Sequence, residues 1–166
     1  MIAVTTRSVD LSAHPAEAPE EPPADALELV YPGHAAPQAL VSDGAQAAVV
    51  QPLMTAFATV QQHWAAITAA QSGGRVVVLA PASAALGDPD RPLDAAVVGG
   101  LISFVRSVAI ELQRHGGTAN IVFFDRLPDE PAVQAMVATL LADTTSSVTG
   151  QEIYLAGGSS LGRLHP

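Results

Sequence analysis

Residues 75–79, RVVVL, are the stretch that most narrows the possible folds of this chain. The run is apolar without interruption and rich in valine. A strand with one solvated face alternates apolar and polar residues, whereas a strand covered on both faces is apolar throughout, as in the middle of a parallel sheet. Gly73 and Gly74 precede the run, and a proline-rich loop, residues 80–92, follows it. We therefore expect a central, buried, parallel strand.

Strand and helix patterns alternate along the rest of the chain. Apolar residues recur at spacings of three and four in the helical segments, and short β-branched or aromatic runs separate these segments. This order predicts an α/β fold with a doubly wound parallel sheet. The expected elements are strands at residues 2–9, 26–31, 75–79, 120–124 and 152–155, and helices at about 42–72, 94–114 and 128–142.

Two predicted helices carry features that bear on packing. The first has Ser42 or Asp43 as candidate N-cap, and Pro52 predicts a kink or break inside it. The second, residues 94–114, is apolar on two sides, so we expect it to be buried on two sides. One side can face the sheet. The other can be covered by a partner subunit or by the N-terminal arm, and we favour the partner.

The chain divides into an N-terminal strand (1–12), an acidic proline-rich linker (13–25) and a main domain (26–166). Strand 26–31 would leave one sheet edge bare, and bare edges promote aggregation. Either residues 2–9 fold back on that edge or a partner covers it. We favour the first arrangement, because the linker is long enough to span several strands.

Composition excludes several classes of function. The net charge is −9, which disfavours nucleic acid and anionic membranes as partners. There is no cysteine, so thiolate catalysis and cysteine-based zinc sites are excluded. All seven basic residues are arginine, so lysine Schiff bases, a P-loop lysine and a tyrosine–lysine acid–base pair are excluded as well. The N-terminal segment is too polar for a signal peptide, and we expect a soluble cytoplasmic protein.

Five segments together resemble one known family. They are PLMTAFATVQQHW (52–64), GGRVVVLAPASAALG (73–87), GGLISFVRSVAIEL (99–112), TANIVFF (118–124) and RLPDEPAVQAMVATLLADTTSSVTGQEIYLAGG (126–158). Over about residues 25–160 the chain resembles the short-chain dehydrogenases/reductases, in particular their ketoacyl reductase branch. The resemblance implies a Rossmann-like domain that is truncated at its N-terminal end, where the family carries a glycine-rich dinucleotide loop, and that has gained an N-terminal strand.

The resemblance also implies that the family's chemistry is lost. The positions of its catalytic asparagine, serine, tyrosine and lysine fall on Pro52, Pro81, Asp94 and Val98. Aspartate and valine cannot replace a tyrosine whose pKa a lysine lowers. Residues 1–25 contain no glycine, so no dinucleotide loop is present there. We expect no bound cofactor, no metal site and no independent NAD(P)-dependent activity.

The segments that are retained form subunit contacts in the family. The resemblance therefore implies a non-catalytic pseudoenzyme subunit that oligomerises with itself or with an active reductase-like partner, which it would stabilise or complete. Dimer, tetramer and mixed complex all remain open. The residues expected at the interface are Phe57, Val60, Trp64, Leu101, Phe104, Val105, Val108, Leu112, Met136, Leu140, Ile153 and Tyr154.

Two other functions compete with this one. The first is a cofactor-independent enzyme of a bacterial biosynthetic pathway, an isomerase, dehydratase or cyclase, that reuses the cleft through Asp94, Tyr31 or Asp125. The second is a module that binds an acyl chain or a carrier protein, although the negative charge of the chain disfavours an acidic carrier.

The remaining polar residues have simpler interpretations. The five histidines lack metal-ligand spacing, and we expect His63 to be a surface or partly buried residue. Asp88 and Asp90 are expected to shape turns, and Asp94 to cap its helix.

Overall fold

The computed structural model describes residues 6–12, 24–35, 39–41 and 43–158. Five parallel strands form one sheet in their sequence order. The fold is α/β and Rossmann-like, which confirms the predicted fold class. The strands are β1 Thr6–Asp10, β2 Ala26–Val30, β3 Arg75–Pro81, β4 Thr118–Phe124 and β5 Glu152–Leu155, and the helices are α1 Ala45–Ala69, α2 Ala82–Ala85, α3 Pro92–Gln113 and α4 Pro131–Leu141, with a 3₁₀ turn at Asp143–Thr145.

The helices cover both faces of the sheet. Val76 and Val78 of β3 belong to the core beneath α1 and α3, whereas Val77 and Leu79 belong to the core beneath α4. Successive side chains of a strand point to opposite faces, so a central strand needs apolar residues at every position. Burial of the whole strand from Arg75 to Ala80 explains why its sequence does not alternate.

The N-terminal strand covers the edge of β2. β1 pairs with β2 in parallel, with Thr6 opposite Ala26 and Asp10 opposite Val30. The chain thus protects this edge itself, as favoured from the sequence. Residues 2–5 of the predicted strand, and residues 13–23 of the predicted linker, lie outside the described part of the chain.

Helix α1 differs from its prediction at its start and in its middle. It begins at Ala45 after Gly44, which has a φ of 82° and takes the N-cap position in place of Asp43. Ser42 lies outside the described residues. The predicted break at Pro52 is wrong, because the helix continues through it. Proline removes one N–H from the helix, and burial of Pro52 supplies packing that offsets this loss.

His63 is buried, with 1% of its surface exposed, so the expected surface position is wrong. Its Nδ1 accepts a hydrogen bond from the backbone N–H of Ala24, 2.9 Å away. The N–H of Ala24 lies just before β2, and a buried donor needs an acceptor. The imidazole therefore joins α1 to the start of β2.

At the amino end of β3 and β4 two pairs of glycines cross, Gly73–Gly74 and Gly116–Gly117. A Cβ on Gly73 would lie 2.0 Å from the carbonyl oxygen of Gly116, so only glycine fits at this crossing. The buried guanidinium of Arg75 donates hydrogen bonds to the carbonyls of Ser72, Gly73 and Gly74 at 2.9, 2.7 and 3.2 Å. We call this arrangement the glycine crossing.

The VTGQ segment sets the position of the last strand. The Asn120 side chain donates to the carbonyl of Val148 at 2.8 Å and accepts from the N–H of Gln151 at 3.1 Å. The Thr149 hydroxyl accepts from the N–H of Ala119 at 3.1 Å. These bonds hold the turn before β5 against β4.

Candidate functional site

Four polar side chains meet at the carboxyl end of the sheet, between β2 and the start of α3. Tyr31 directly follows β2, and its backbone N–H is bonded to the carbonyl of Leu79. His34 lies in the loop after it, and Arg91 and Asp94 lie at the start of α3. We call Tyr31, His34, Arg91 and Asp94 the cleft cluster. In parallel α/β sheets this edge is where ligands bind.

Asp94 is the centre of the cleft cluster and is 2% exposed. Its Oδ1 accepts hydrogen bonds from the Tyr31 hydroxyl at 2.6 Å and from the His34 backbone N–H at 3.0 Å. His34 Nδ1 also contacts this oxygen. Arg91 donates to Oδ2 at 3.3 Å and to the carbonyl of His34 at 2.6 Å. A buried carboxylate is tolerated here because four donors face it, one of them the Arg91 cation.

These contacts shift the pKa values of Asp94 and Tyr31. Burial by itself would raise the pKa of Asp94, but the hydrogen bonds from Tyr31 and His34 outweigh burial and hold it below the ordinary value. Burial and the neighbouring Asp94 carboxylate raise the pKa of Tyr31. At neutral pH the cluster therefore contains an ionised Asp94 and a protonated Tyr31 hydroxyl.

Asp94 does not cap its helix, contrary to the prediction. Helix α3 begins at Pro92 with Arg91 at the N-cap, and no side chain caps it. The Asp94 carboxylate is instead bonded by three groups of the loop after β2, which are the Tyr31 hydroxyl and the backbone N–H and Nδ1 of His34. Asp88 does shape a turn, since its Oδ1 accepts from the N–H of Asp90 at 3.0 Å.

Of the four positions that the resemblance assigned to lost catalytic residues, Asp94 lies in the cleft cluster. The other three are apolar residues that cannot take part in its hydrogen bonds. Pro81 ends β3, Val98 lies fully buried one turn after Asp94, and Pro52 is buried in α1. Asp125 is exposed after β4, and no hydrogen bond or ion pair of the described residues joins it to the cleft cluster. The sequence points to Tyr31 and Asp94 as candidate site residues, but it does not point to the other two members of the cluster, His34 and Arg91. Only their sequence spacing of three from Tyr31 and Asp94 hints at a shared site.

A second feature is an apolar groove between α1 and α3, on the side away from the sheet. Its volume is about 300 Å³. Phe57 is half exposed at its edge. The residues that line the groove are Phe57, Val60, Gln61, Trp64, Phe104, Ser107, Val108 and Glu111.

The structure divides the residues predicted at an interface into three groups. Phe57, Val60, Trp64, Phe104 and Val108 line the groove. Met136, Ile153 and Tyr154 are partly exposed elsewhere. The other four are buried in the chain's own core at 0 to 3% exposure, so they cannot contact a partner directly, and this corrects their assignment. They are Leu101, Val105, Leu112 and Leu140.

Helix α3 has the length and hydropathy of a membrane span, and 44% of its most apolar window is buried inside the chain. Here it packs as a core helix against β4 and α1. Within the described ranges, no three histidine, aspartate or glutamate side chains come close enough together to hold a metal ion.

No protein-family model and no curated protein matches the sequence. Many solved structures share the fold. The fold is that of the short-chain dehydrogenases/reductases. Levodione reductase superposes with a TM-score of 0.73 at 17% identity and 84% coverage of this chain. YwfH, an NADPH-dependent reductase involved in bacilysin biosynthesis, gives 0.68 at 18% identity and 82% coverage. An oxidoreductase of this family from Burkholderia thailandensis gives 0.66 at 22% identity and 81% coverage.

The chain spans 68%, 66% and 64% of the length of these three structures. The similarity concerns the fold, since the identities are low. It agrees with the resemblance of the five sequence segments to the same fold family.

Proposed function

We propose that the chain is an assembly subunit without reductase activity of its own. It oligomerises through the face formed by α1 and α3, with a second copy of itself or with an active reductase-like chain that it stabilises or completes. The cytoplasm remains its predicted location.

The observation that carries this proposal is the absence of charge on α1. This helix has 25 residues, and none of them is Asp, Glu, Lys or Arg, although the chain has a net charge of −9. Surface helices of monomeric proteins carry charged residues on the solvent side. Val50, Met54 and Phe57 are instead 46%, 54% and 50% exposed on it. An uncharged helix with exposed large apolar side chains is typical of a contact surface.

A second copy is the occupant we expect first. In a two-fold dimer each surface meets itself, so a charged face would bring like charges together. The α1–α3 groove has a single ionisable group along its lining, Glu111. Two acidic chains can therefore associate here with little repulsion at the contact.

The loss of reductase chemistry is supported by composition. The chain contains no lysine, so it cannot supply the tyrosine–lysine pair that protonates a carbonyl oxygen in the family it resembles. Asp94 and Val98 occupy the corresponding positions. The ionised Asp94 is an acceptor and not a proton donor at neutral pH.

The test uses two matched variants. Phe57→Glu places a charge in the groove, and Leu127→Glu places the same charge at an apolar side chain of similar exposure, 58%, outside it. By sedimentation velocity we expect a dimer for wild type and Leu127→Glu, and a monomer for Phe57→Glu. Burying one unpaired charge in an apolar contact costs several kcal/mol, enough to weaken association by roughly 10²-fold or more.

Either of two results would change the conclusion. The first is a wild-type chain that sediments as a monomer and still binds a reductase-like chain at fixed stoichiometry, in a complex that Phe57→Glu abolishes. That result would show that the reductase-like chain, and not a second copy, binds the α1–α3 face. A wild-type monomer that binds neither would refute the proposal. The alternative function, a cofactor-independent enzyme, is favoured by one observation, the cleft cluster, which is developed next.

A further inference from the structure

The cleft cluster contains an imidazole held by a buried carboxylate. Asp94 is ionised and acceptor-only, so the His34 nitrogen that contacts its Oδ1 must carry a proton. That nitrogen is Nδ1. In the neutral ring the second nitrogen, Nε2, is then the basic one. The carboxylate thus selects a single tautomer.

The basic nitrogen is accessible. Nε2 lies on the side of the ring opposite Nδ1, and no described residue is bonded to it. The His34 side chain is 19% exposed, and the Arg91 side chain beside it is 33% exposed. By contrast, Asp94 and Tyr31 are buried beneath them.

Each member of the cluster has a separate part in this arrangement. Asp94 fixes the tautomer. The Tyr31 hydroxyl, 2.6 Å from Asp94 and 3.1 Å from His34 Nδ1, holds both groups in place. Arg91 bonds to the His34 carbonyl at 2.6 Å and brings a guanidinium next to the imidazole. A simple structural link between β2 and α3 would not require a free nitrogen or a neighbouring cation at the surface.

We propose that His34 is a general acid–base group, positioned by Asp94, that exchanges a proton with a small carbonyl compound. Nε2 removes a proton from the carbon next to the carbonyl, the C–H electron pair becomes the enolate, and the imidazolium returns the proton at another atom. The guanidinium of Arg91 stabilises the negative charge on the enolate oxygen. The step is an isomerisation, so it needs no oxidant, reductant or cofactor.

This role goes beyond the proposed assembly function and does not depend on it. Association concerns the α1–α3 groove, whereas His34 lies at the carboxyl end of the sheet. Failure of one therefore leaves the other unaffected, because the first is read by sedimentation and the second by the state and reactivity of one imidazole.

The first measurement is the tautomer of His34, by nitrogen NMR of the histidine rings in the folded full chain. We expect the Nδ1–H form alone in wild type, and a mixture of both forms in Asp94→Asn, where the acceptor is no longer ionised. The same mixture in both proteins, or an Nε2–H form in wild type, would overturn the proposal.

The second measurement is acylation of His34 by diethyl pyrocarbonate, a small electrophilic carbonyl probe, followed by peptide mass spectrometry. We expect His34 to react faster than the exposed His115, and Asp94→Asn to slow the reaction roughly tenfold or more, since the wrong tautomer is costly in related arrangements. His115→Gln is the control and should leave the rate at His34 unchanged. Equal rates at His34 and His115, unaffected by Asp94→Asn, would also overturn the proposal.

Discussion

At the scale of single residues, the fold contains two buried charged side chains, Asp94 and Arg75, that each have several hydrogen-bond partners. Asp94 has four donors around it. Arg75 has four carbonyls, that of Gly116 at 3.5 Å among them, and the Asp143 carboxylate at 3.7 Å. The Nε atom of Arg75 has no partner among the described residues. Burial of each charge is tolerated because its partners are polar groups at the ends of neighbouring elements, which would otherwise lack a hydrogen bond.

Asp94 makes the fold sensitive to acid. Its pKa in the folded state lies below the ordinary 3.8, because the hydrogen bonds from Tyr31 and His34 outweigh burial. The stabilisation is therefore present at neutral pH and is lost as the pH falls through the folded-state pKa. Asp94→Asn should cost about 1–3 kcal/mol of unfolding free energy at neutral pH and flatten the loss of stability below about pH 4.

Urea unfolding at a series of pH values measures this effect. Asp90→Asn, which removes an exposed carboxylate in the same loop region, is the matched control and should follow wild type. An Asp94→Asn variant that keeps the full acid dependence would contradict the assignment.

At the scale of secondary-structure elements, the glycine crossing determines how closely the two βα units approach. Gly73 and Gly116 both have positive φ, 75° and 70°. They differ in their surroundings, because a Cβ on Gly73 would meet the Gly116 carbonyl, while a Cβ on Gly116 would meet nothing within 4 Å. Substitutions at these two glycines therefore measure two costs separately. Gly116 gives the cost of a left-handed backbone alone, and Gly73 adds the cost of a steric clash.

We expect Gly116→Ala to cost about 1 kcal/mol, the penalty of a left-handed conformation alone. Gly73→Ala should cost about 3 kcal/mol more, since the backbone of the crossing must move and the bonds of Arg75 to it are disturbed. Chemical denaturation midpoints give both values. Equal losses for the two variants would show that the crossing tolerates a side chain.

The elements show what the sequence could and could not predict. The burial of β3 and the bounds of β5 follow from local patterns, since an unbroken apolar run and a short strand before two glycines are visible in the chain itself. The start of α1 at Gly44 and the continuity through Pro52 depend on packing. The pairing of His34 with Asp94 joins residues 60 positions apart, and no local pattern encodes it. The buried position of His63 depends likewise on a distant N–H.

At the scale of the whole molecule, the negative charge and the exposed apolar surface lie on different parts of the chain. The net charge of −9 resides outside α1. Two copies would repel each other at long range, while the contact face proposed above, α1–α3, is apolar. Salt screens the repulsion over about 10 Å at 0.1 M and leaves apolar contacts intact.

Association should therefore strengthen when salt is added. We expect the dissociation constant to fall by roughly threefold to tenfold between low and moderate sodium chloride, because the repulsion between the two acidic chains is screened. Sedimentation equilibrium at several salt concentrations measures it. Weaker association in salt would mean that ion pairs, and not the α1–α3 face, hold the subunits together.

The uncharged length of α1 also bears on the life of a newly made chain. Before assembly, Met54 and Phe57 present their side chains to water on a helix with no charged residue to keep copies apart. Chaperones and proteases act on exposed apolar surface of this kind. If the α1–α3 face is the contact surface, chains that fail to assemble would be degraded. The amount of this protein in a cell would then follow how completely it assembles.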